Sequence, residues 1–414
     1  MLLHSLRLVG FKSFRDTHIP FGPFTLLVGT NASGKSNVQD ALRFLHGCAQ
    51  GFSLAEVIDE KWGPGGLLLW RGIRGGVREI VRFGEHRLLI TAKLTSRSGQ
   101  QYGYTIAVAF HLGKIPEVVD ESLYTGNQPI FQSERGDLGV SFPAKPDHVI
   151  AYPGGRPFLH QVAEDDHIEK RSRGQAREVI EALTSIRFLD LTPDAMRSPA
   201  TPGQEILGDR GENLSAVLLH IASDKAKKEA LLGWLQALTP LDVVDLRFHE
   251  DLLGRVLVYL VESNGRETSA QSASDGTLRF LALAAALLSS ESGRLFFIEE
   301  IDNGLHPTRL HLLLDVIEQA TRTLGCQVVA TTHNPQLLAF LSEEAQGDAV
   351  LLYRREHEDA SEAVRVLDLP DVRRVLASQD LGRLFATGWL EDAIEFRAAG
   401  VEEAPPKAQV KGRR

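Results

Sequence analysis

The hydrophobic positions of this chain follow three rhythms. Continuous apolar runs occur at Phe24-Thr25-Leu26-Leu27-Val28, Leu295-Phe296-Phe297-Ile298 and Gln327-Val328-Val329-Ala330-Thr331. Runs of this kind predict strands buried on both faces, as in a parallel sheet. Helical spacing follows the first run at Val38, Ala41, Leu42 and Leu45. It predicts a very apolar helix over 278–288 and another from about 307 to 321. Strand, helix and strand in this order define an α/β protein whose core sheet is covered by helices. The third rhythm is β-branched and aromatic. It predicts strands over 87–94 and 102–110, with a short strand at 6–9, as an antiparallel subdomain beside the core.

The segments between these runs are more polar. Residues 63–76 are glycine-rich, contain Arg71 and Arg74, and read as loop and hairpin. Residues 125–165 carry Pro, Gly and charge and read as long surface loops. A polar helix is expected over 166–184, then a strand over 186–191 ended by Thr192-Pro193. Leu214, Val217, Leu218 and Ile221 set helical spacing within 211–237, which reads as two helices of a helical lobe. No heptad array or internal repeat is present, which excludes a long coiled-coil arm. The expected division is an N-terminal lobe at 1–125, inserted loops and the helical lobe at 126–265, and a C-terminal lobe at 266–398. A disordered tail at 399–414 contains Glu402, Pro405, Pro406, Arg413 and Arg414.

Composition narrows the picture. The 414 residues are 43% hydrophobic and 24% charged, an ordinary soluble balance with room for two or three lobes. The net charge of −9 argues against coating nucleic acid through overall charge. Cys48 and Cys326 form no metal-ligand pattern and read as reduced thiols. The start shows no signal-peptide layout, and the longest apolar run, 280–288, is too short to span a bilayer. A cytoplasmic location is expected.

The candidate chemistry sits at the ends of the apolar runs. Gly29-Thr30-Asn31-Ala32-Ser33-Gly34-Lys35-Ser36 is a complete phosphate loop between a strand and a helix, with Asn37 beside it. Free backbone N–H groups and the helix dipole face an anion there. Lys35 supplies a point charge for the β- and γ-phosphates, and Ser36 a hydroxyl for Mg²⁺. Glu299 and Glu300 close the strand at 295–298 and point into the ligand crevice. Glu299 is expected to hold Mg²⁺ and Glu300 to act as general base toward water. Thr332-His333-Asn334-Pro335 ends the next strand and offers a histidine to sense the γ-phosphate. Ser274-Asp275-Gly276-Thr277 opens the apolar helix as a second phosphate-binding cap. Asp302-Asn303-Gly304-Leu305-His306-Pro307 joins Glu300 to the following helix.

Together these motifs, with Gly-Phe-Lys-Ser-Phe at 10–14, resemble the ABC-type ATPases of the SMC, RecF and OLD group, compact bacterial AAA-family ATPases among them. The resemblance covers about 1–45 and 265–340. It implies ATP and Mg²⁺ as cofactors. Lys35 and Ser36 then take the Walker A roles, Glu299 the Walker B role, Glu300 that of catalytic base, Asp302 that of the D-loop aspartate and His333 that of the switch histidine. Ser274 and Gly276 form the signature that caps the γ-phosphate of a second subunit. Lys12 or Ser13 lies near the adenine. Two copies join head-to-tail around ATP.

The chain departs from the family pattern at Ala273, where many relatives carry Leu, at Asp275, where transporters carry Gly, and at the Walker B position, which is Glu299 rather than Asp. No Q-loop glutamine is assignable, and residues 189–197 take that place without one. The implied role is an ATPase switch in a DNA-related or defence process, with any nuclease supplied by a separate subunit. Arg71, Arg74, Arg78, Arg82 and Arg87 are candidates for contact with DNA phosphates. The alternatives are the ATPase subunit of a membrane transporter and a module that uses ATP as glue.

Overall fold

The computed structural model describes residues 2–66, 68–111, 113–133, 139–142, 145–238, 242–289, 293–355 and 358–398. The tail expected at 399–414 lies outside them. One sheet of 14 strands runs through the molecule. Its order is Lys145–Ala151, Gly139–Phe142, Gln128–Ser133, Glu117–Thr125, Gln101–Ala109, Arg87–Thr95, Leu2–Phe11, Phe14–Pro20, Ser361–Arg365, Val350–Arg354, Phe24–Val28, Gln327–Thr331, Leu295–Ile298 and Arg187–Leu189. The last five strands are mutually parallel, and the first eight form an antiparallel arm.

The parallel strands are where the continuous apolar runs predict them. Every residue of Phe24–Val28, Leu295–Ile298 and Gln327–Thr331 is buried. Alternate side chains enter two different cores: Leu26, Val28, Phe296 and Ile298 one, Leu27, Leu295 and Phe297 the other. A strand with both faces covered has no polar side, so its sequence shows no alternation. The arm differs. Arg87–Thr95 alternates buried and more exposed positions along its length.

Register places the chemistry. Ile298 pairs with Ala330, Ala330 with Leu26 and Thr331 with Leu27. The three strands therefore end level, and the loops after Val28, Ile298 and Thr331 emerge side by side at the carboxyl edge. The phosphate-loop helix Lys35–Ala49 covers one face, with Lys170–Thr184 packed on it. The signature helix Asp275–Ser289 lies in the opposite core, against Leu214–Ser223 and Lys225–Leu238. It is buried on nearly all sides, which explains its apolar sequence.

Two expectations are corrected. Residues 125–165 are not long surface loops. They hold the strands Gln128–Ser133, Gly139–Phe142 and Lys145–Ala151 and the helix Phe158–Glu164. These strands lie at the outer edge of the arm, where a strand need not be apolar on both faces. The helical lobe also carries a three-stranded antiparallel sheet of Val243–Glu250, Val256–Glu262 and Glu267–Ser269. Among the described residues, no helix is long and apolar enough to cross a membrane.

Candidate nucleotide site

The phosphate loop is shaped by close backbone packing. Gly29 has φ +145°, and a Cβ there would lie 2.1 Å from the carbonyl oxygen of Leu352, so only glycine fits. Thr30, Asn31 and Ala32 are exposed, whereas Ser33, Gly34 and Lys35 are buried. The Lys35 ammonium donates to the carbonyls of Gly29 at 2.6 Å and Thr30 at 2.8 Å, and to Ser33 Oγ at 3.4 Å. Burial pushes its pKa down to about 8, against the pull of the Glu300 carboxylate.

A cavity of about 290 Å³ brings Lys35 and Ser36 together with Glu299, Glu300 and His333. These are the Walker A, Walker B and switch positions expected from sequence. Glu300 has φ +45°, left-handed backbone unusual for a non-glycine residue. Thr331 holds it there: Glu300 N–H donates to Thr331 Oγ1 at 2.9 Å, and Ile301 N–H to the Thr331 carbonyl at 3.1 Å. His333 titrates below the usual imidazole range, first through burial and then through the Lys35 charge, while Glu300 and Asp302 oppose this. Among the described residues no three His, Cys, Asp or Glu side chains converge as a metal cluster. Ser36 and Glu299 instead present a hydroxyl and a carboxylate to one cavity. Hard oxygen donors in small number suit Mg²⁺, which keeps water and phosphate among its ligands.

Other expected residues stand outside this cavity. Ser274 is exposed at the start of the signature helix, where its Oγ accepts the Thr277 N–H at 3.2 Å and bonds Thr277 Oγ1 at 2.8 Å. Gly276 packs on the turn of its own chain, where a Cβ would lie 2.4 Å from the Gly304 carbonyl oxygen. The Asp302 carboxylate accepts from Thr332 Oγ1 at 2.7 Å and so is tied to the switch segment. Lys12 is held beside the phosphate-loop helix by an ion pair with the buried Asp40 at 2.8 Å and a bond to the Arg74 carbonyl at 2.7 Å. Ser13 Oγ accepts from Asn37 Nδ2 and from Ser361 Oγ, each at 2.8 Å.

Several residues missed as site residues line the cavity: Arg74, Asp190, Arg279 and Asn303. Arg74 reaches the Ser36 carbonyl and both oxygens of Asp40. Asp190 ends the strand Arg187–Leu189 and pairs with Arg71 at 3.2 Å. At the other end of the same segment Arg197 donates to Asp275 at 2.7 Å and to the Ala273 carbonyl at 3.2 Å. The stretch without a glutamine thus runs from the cavity to the signature. Its only sequence signal is a strand end with an acid. Four arginines considered for DNA contact are engaged within the chain, Arg71 with Asp190, Arg74 with Asp40, Arg82 with Asp359 and Arg87 with Asp120.

Comparisons with known proteins bear on the fold and the family. A family model described as "AAA domain, putative AbiEii toxin, Type IV TA system" matches residues 154–339, and one described as "AAA ATPase domain" matches residues 1–62. The chain is similar to Structural maintenance of chromosomes protein 1 of Caenorhabditis elegans, 47% identical over 47 residues, 11% of this chain and 4% of the relative. It is 30% identical over 126 residues to the DNA replication and repair protein RecF of Porphyromonas gingivalis, 29% of this chain and 32% of the relative. The match therefore spans a third or less of these relatives' own length. An SMC head, solved bound to the C-winged helix domain of ScpA, shares the fold with a TM-score of 0.51 at 15% identity, over 88% of this chain and 97% of that one. With its strand ends level and its phosphate loop beside paired carboxylates, the chain carries segments that match AAA-type ATPase domain models at 1–62 and 154–339, resembles RecF over part of its length, and has the α/β fold of an SMC head.

Proposed function

We propose that the chain is an ATP-binding and ATP-hydrolysing switch that pairs head-to-tail with a second copy around two ATP molecules. It acts in a DNA-related or phage-defence process, in the cytoplasm, through a separate nuclease-like effector. One observation carries this reading. Lys35, Ser36, Glu299, Glu300 and His333 share a cavity, while Ser274 stands exposed at a helix start outside it. A complete hydrolytic half-site plus a free signature suits a composite site completed by a second copy.

In this reading the loop 29–36 wraps the phosphates with its N–H groups, and Lys35 exchanges neutral carbonyls for charged phosphate oxygens. Ser36 and Glu299 hold Mg²⁺, which draws charge from the phosphates when bound. Glu300 orients the attacking water and takes its proton. The water oxygen joins the γ-phosphorus, and the ADP oxygen leaves with the electron pair. His333 stays neutral enough to accept or donate a hydrogen bond beside the γ-phosphate. The name of the RecF relative supports a DNA-related role, and the toxin-system description of the family model supports a defence role.

The test is sedimentation of Glu300→Gln and Ser274→Arg with Mg-ATP. Glu300→Gln should form a dimer that persists, and Ser274→Arg should remain a monomer that still binds ATP. Ser274→Arg hydrolysing ATP at the normal rate would end the composite-site reading. Tagged Glu300→Gln purified from its host should retain a nuclease-like protein or nucleic acid, and retention of a permease would point to transport.

A further inference from the structure

The turn after Glu300 is gripped by the signature helix of the same chain. Asn303 Nδ2 donates to Glu300 Oε2 at 3.2 Å, and Asn303 N–H donates to the Glu300 carbonyl at 2.8 Å. From the other side, Arg279 Nη1 donates to the Asn303 carbonyl at 3.2 Å. Arg279 lies three residues beyond Gly276, on the same face of the helix. At Gly276 the helix lies against the Gly304 carbonyl oxygen, with no room for a Cβ. The 303 carbonyl is thus bonded to the helix, and the 304 carbonyl packs against it.

Arg279 also lines the cavity with Glu300, and its Nε is buried without a hydrogen-bond partner. Arg74, in contrast, is spent on Asp40 and Ser36, and Lys35 on its own loop. Arg279 keeps its Nη1 bond to the turn as a polar contact within the chain.

We propose that Asn303 is a positioning residue for the Glu300 carboxylate, and that Arg279 ties Asn303 to the signature helix. Movement of the helix that meets one nucleotide then resets the base that acts on the other. This rests on the reading of Glu300 as base. The left-handed backbone of Glu300 makes such coupling effective: its side-chain direction follows from the turn rather than from a free rotamer in a relaxed strand.

The test is a set of double-variant cycles on the full chain with Mg-ATP. Asn303→Ala and Arg279→Ala should each lower kcat by about ten- to a hundredfold, the scale of a misplaced reacting group. The affinity for a fluorescent ATP analogue should stay within about twofold, as expected for positioning without binding. In a Glu300→Gln background, single-turnover hydrolysis should be changed less than about twofold by either substitution, because there is no carboxylate to position. Arg279→Gln, which keeps a donor, should lose less than Arg279→Ala, and it serves as the second variant should the alanine form fold poorly. If Asn303→Ala and Arg279→Ala slow the Glu300→Gln protein as much as the normal one, the proposal is wrong. If Glu300→Gln itself turns over at the normal rate, the base assignment fails instead.

Discussion

Two regions of this molecule bury a titratable side chain, to opposite ends. In the parallel core, Lys35 is buried beside a cavity and bonded only to backbone carbonyls of a loop and one hydroxyl. In the antiparallel arm, Glu121 is fully buried among hydrogen-bond donors. Its carboxylate accepts from Tyr104 Oη at 2.9 Å and from the backbone N–H groups of Phe158 at 2.6 Å and Leu159 at 2.7 Å. Burial lowers the Lys35 pKa to about 8 and raises that of Glu121 to about 7. The shifts share a cause, yet Glu121 closes a structural joint between strand and helix, whereas Lys35 borders space for a ligand. A perturbed pKa marks chemistry only where there is room for a reactant.

Substitutions should separate the two. The largest effect is expected at the cavity. Glu300→Gln should lower ATP turnover by about a hundredfold or more, the usual worth of a general base, with the melting temperature unchanged. Lys35→Ala should weaken nucleotide binding by about a hundredfold, measured by calorimetric titration, because a buried charge-assisted contact to phosphate is lost. Its fold should change little in stability, since losing the ammonium also relieves the cost of burying its charge. Glu121→Ala should reverse that pattern. Two N–H groups and a hydroxyl lose their acceptor, at a cost of about 2–4 kcal/mol in denaturant unfolding, with ATP affinity unchanged.

The pH dependences should diverge as well. Glu121 binds its proton more tightly folded than unfolded. Its contribution to stability is therefore whole below about pH 4.5 and falls as the pH rises to about 7, by about 3 kcal/mol in total. That loss should disappear from the unfolding curves of Glu121→Gln. Lys35 must be charged to meet phosphate. ATP affinity, followed from pH 7 to 9.5, should fall above about pH 8, by up to about tenfold per unit. The smallest change is expected at the exposed pair Arg7–Asp16, where Arg7→Ala should shift stability by less than about 1 kcal/mol and leave ATP affinity alone.

Legibility also differs between the regions. The strands Phe24–Val28, Leu295–Ile298 and Gln327–Thr331 match their apolar runs to the residue, because burial on both faces favours apolar side chains and admits a polar one such as Gln327 only where it is hydrogen-bonded. In the arm, residues 125–165 were misread because half-exposed strands tolerate polar residues, Pro and Gly at their ends. At the site, Lys35, Ser36, Glu299, Glu300 and His333 were readable because their loops follow those strands directly. Asp190, Arg74 and Arg279 were not, since each lies in a segment singled out for another reason and reaches the cavity only through tertiary packing.

What the sequence determined alone was a parallel α/β core with a phosphate loop, an acidic strand end and a histidine at the next one. Local chain chemistry suffices for these, because strand burial, loop geometry and helix starts are set by neighbours in sequence. Only the tertiary structure decided that the glycine-rich segment delivers Arg74 to the phosphate-loop helix and that residues 190–197 run from the cavity to the signature. It also decided that the signature helix holds the turn beside Glu300. Such contacts join residues far apart along the chain, and no local pattern records them, because the packing of elements brings them together.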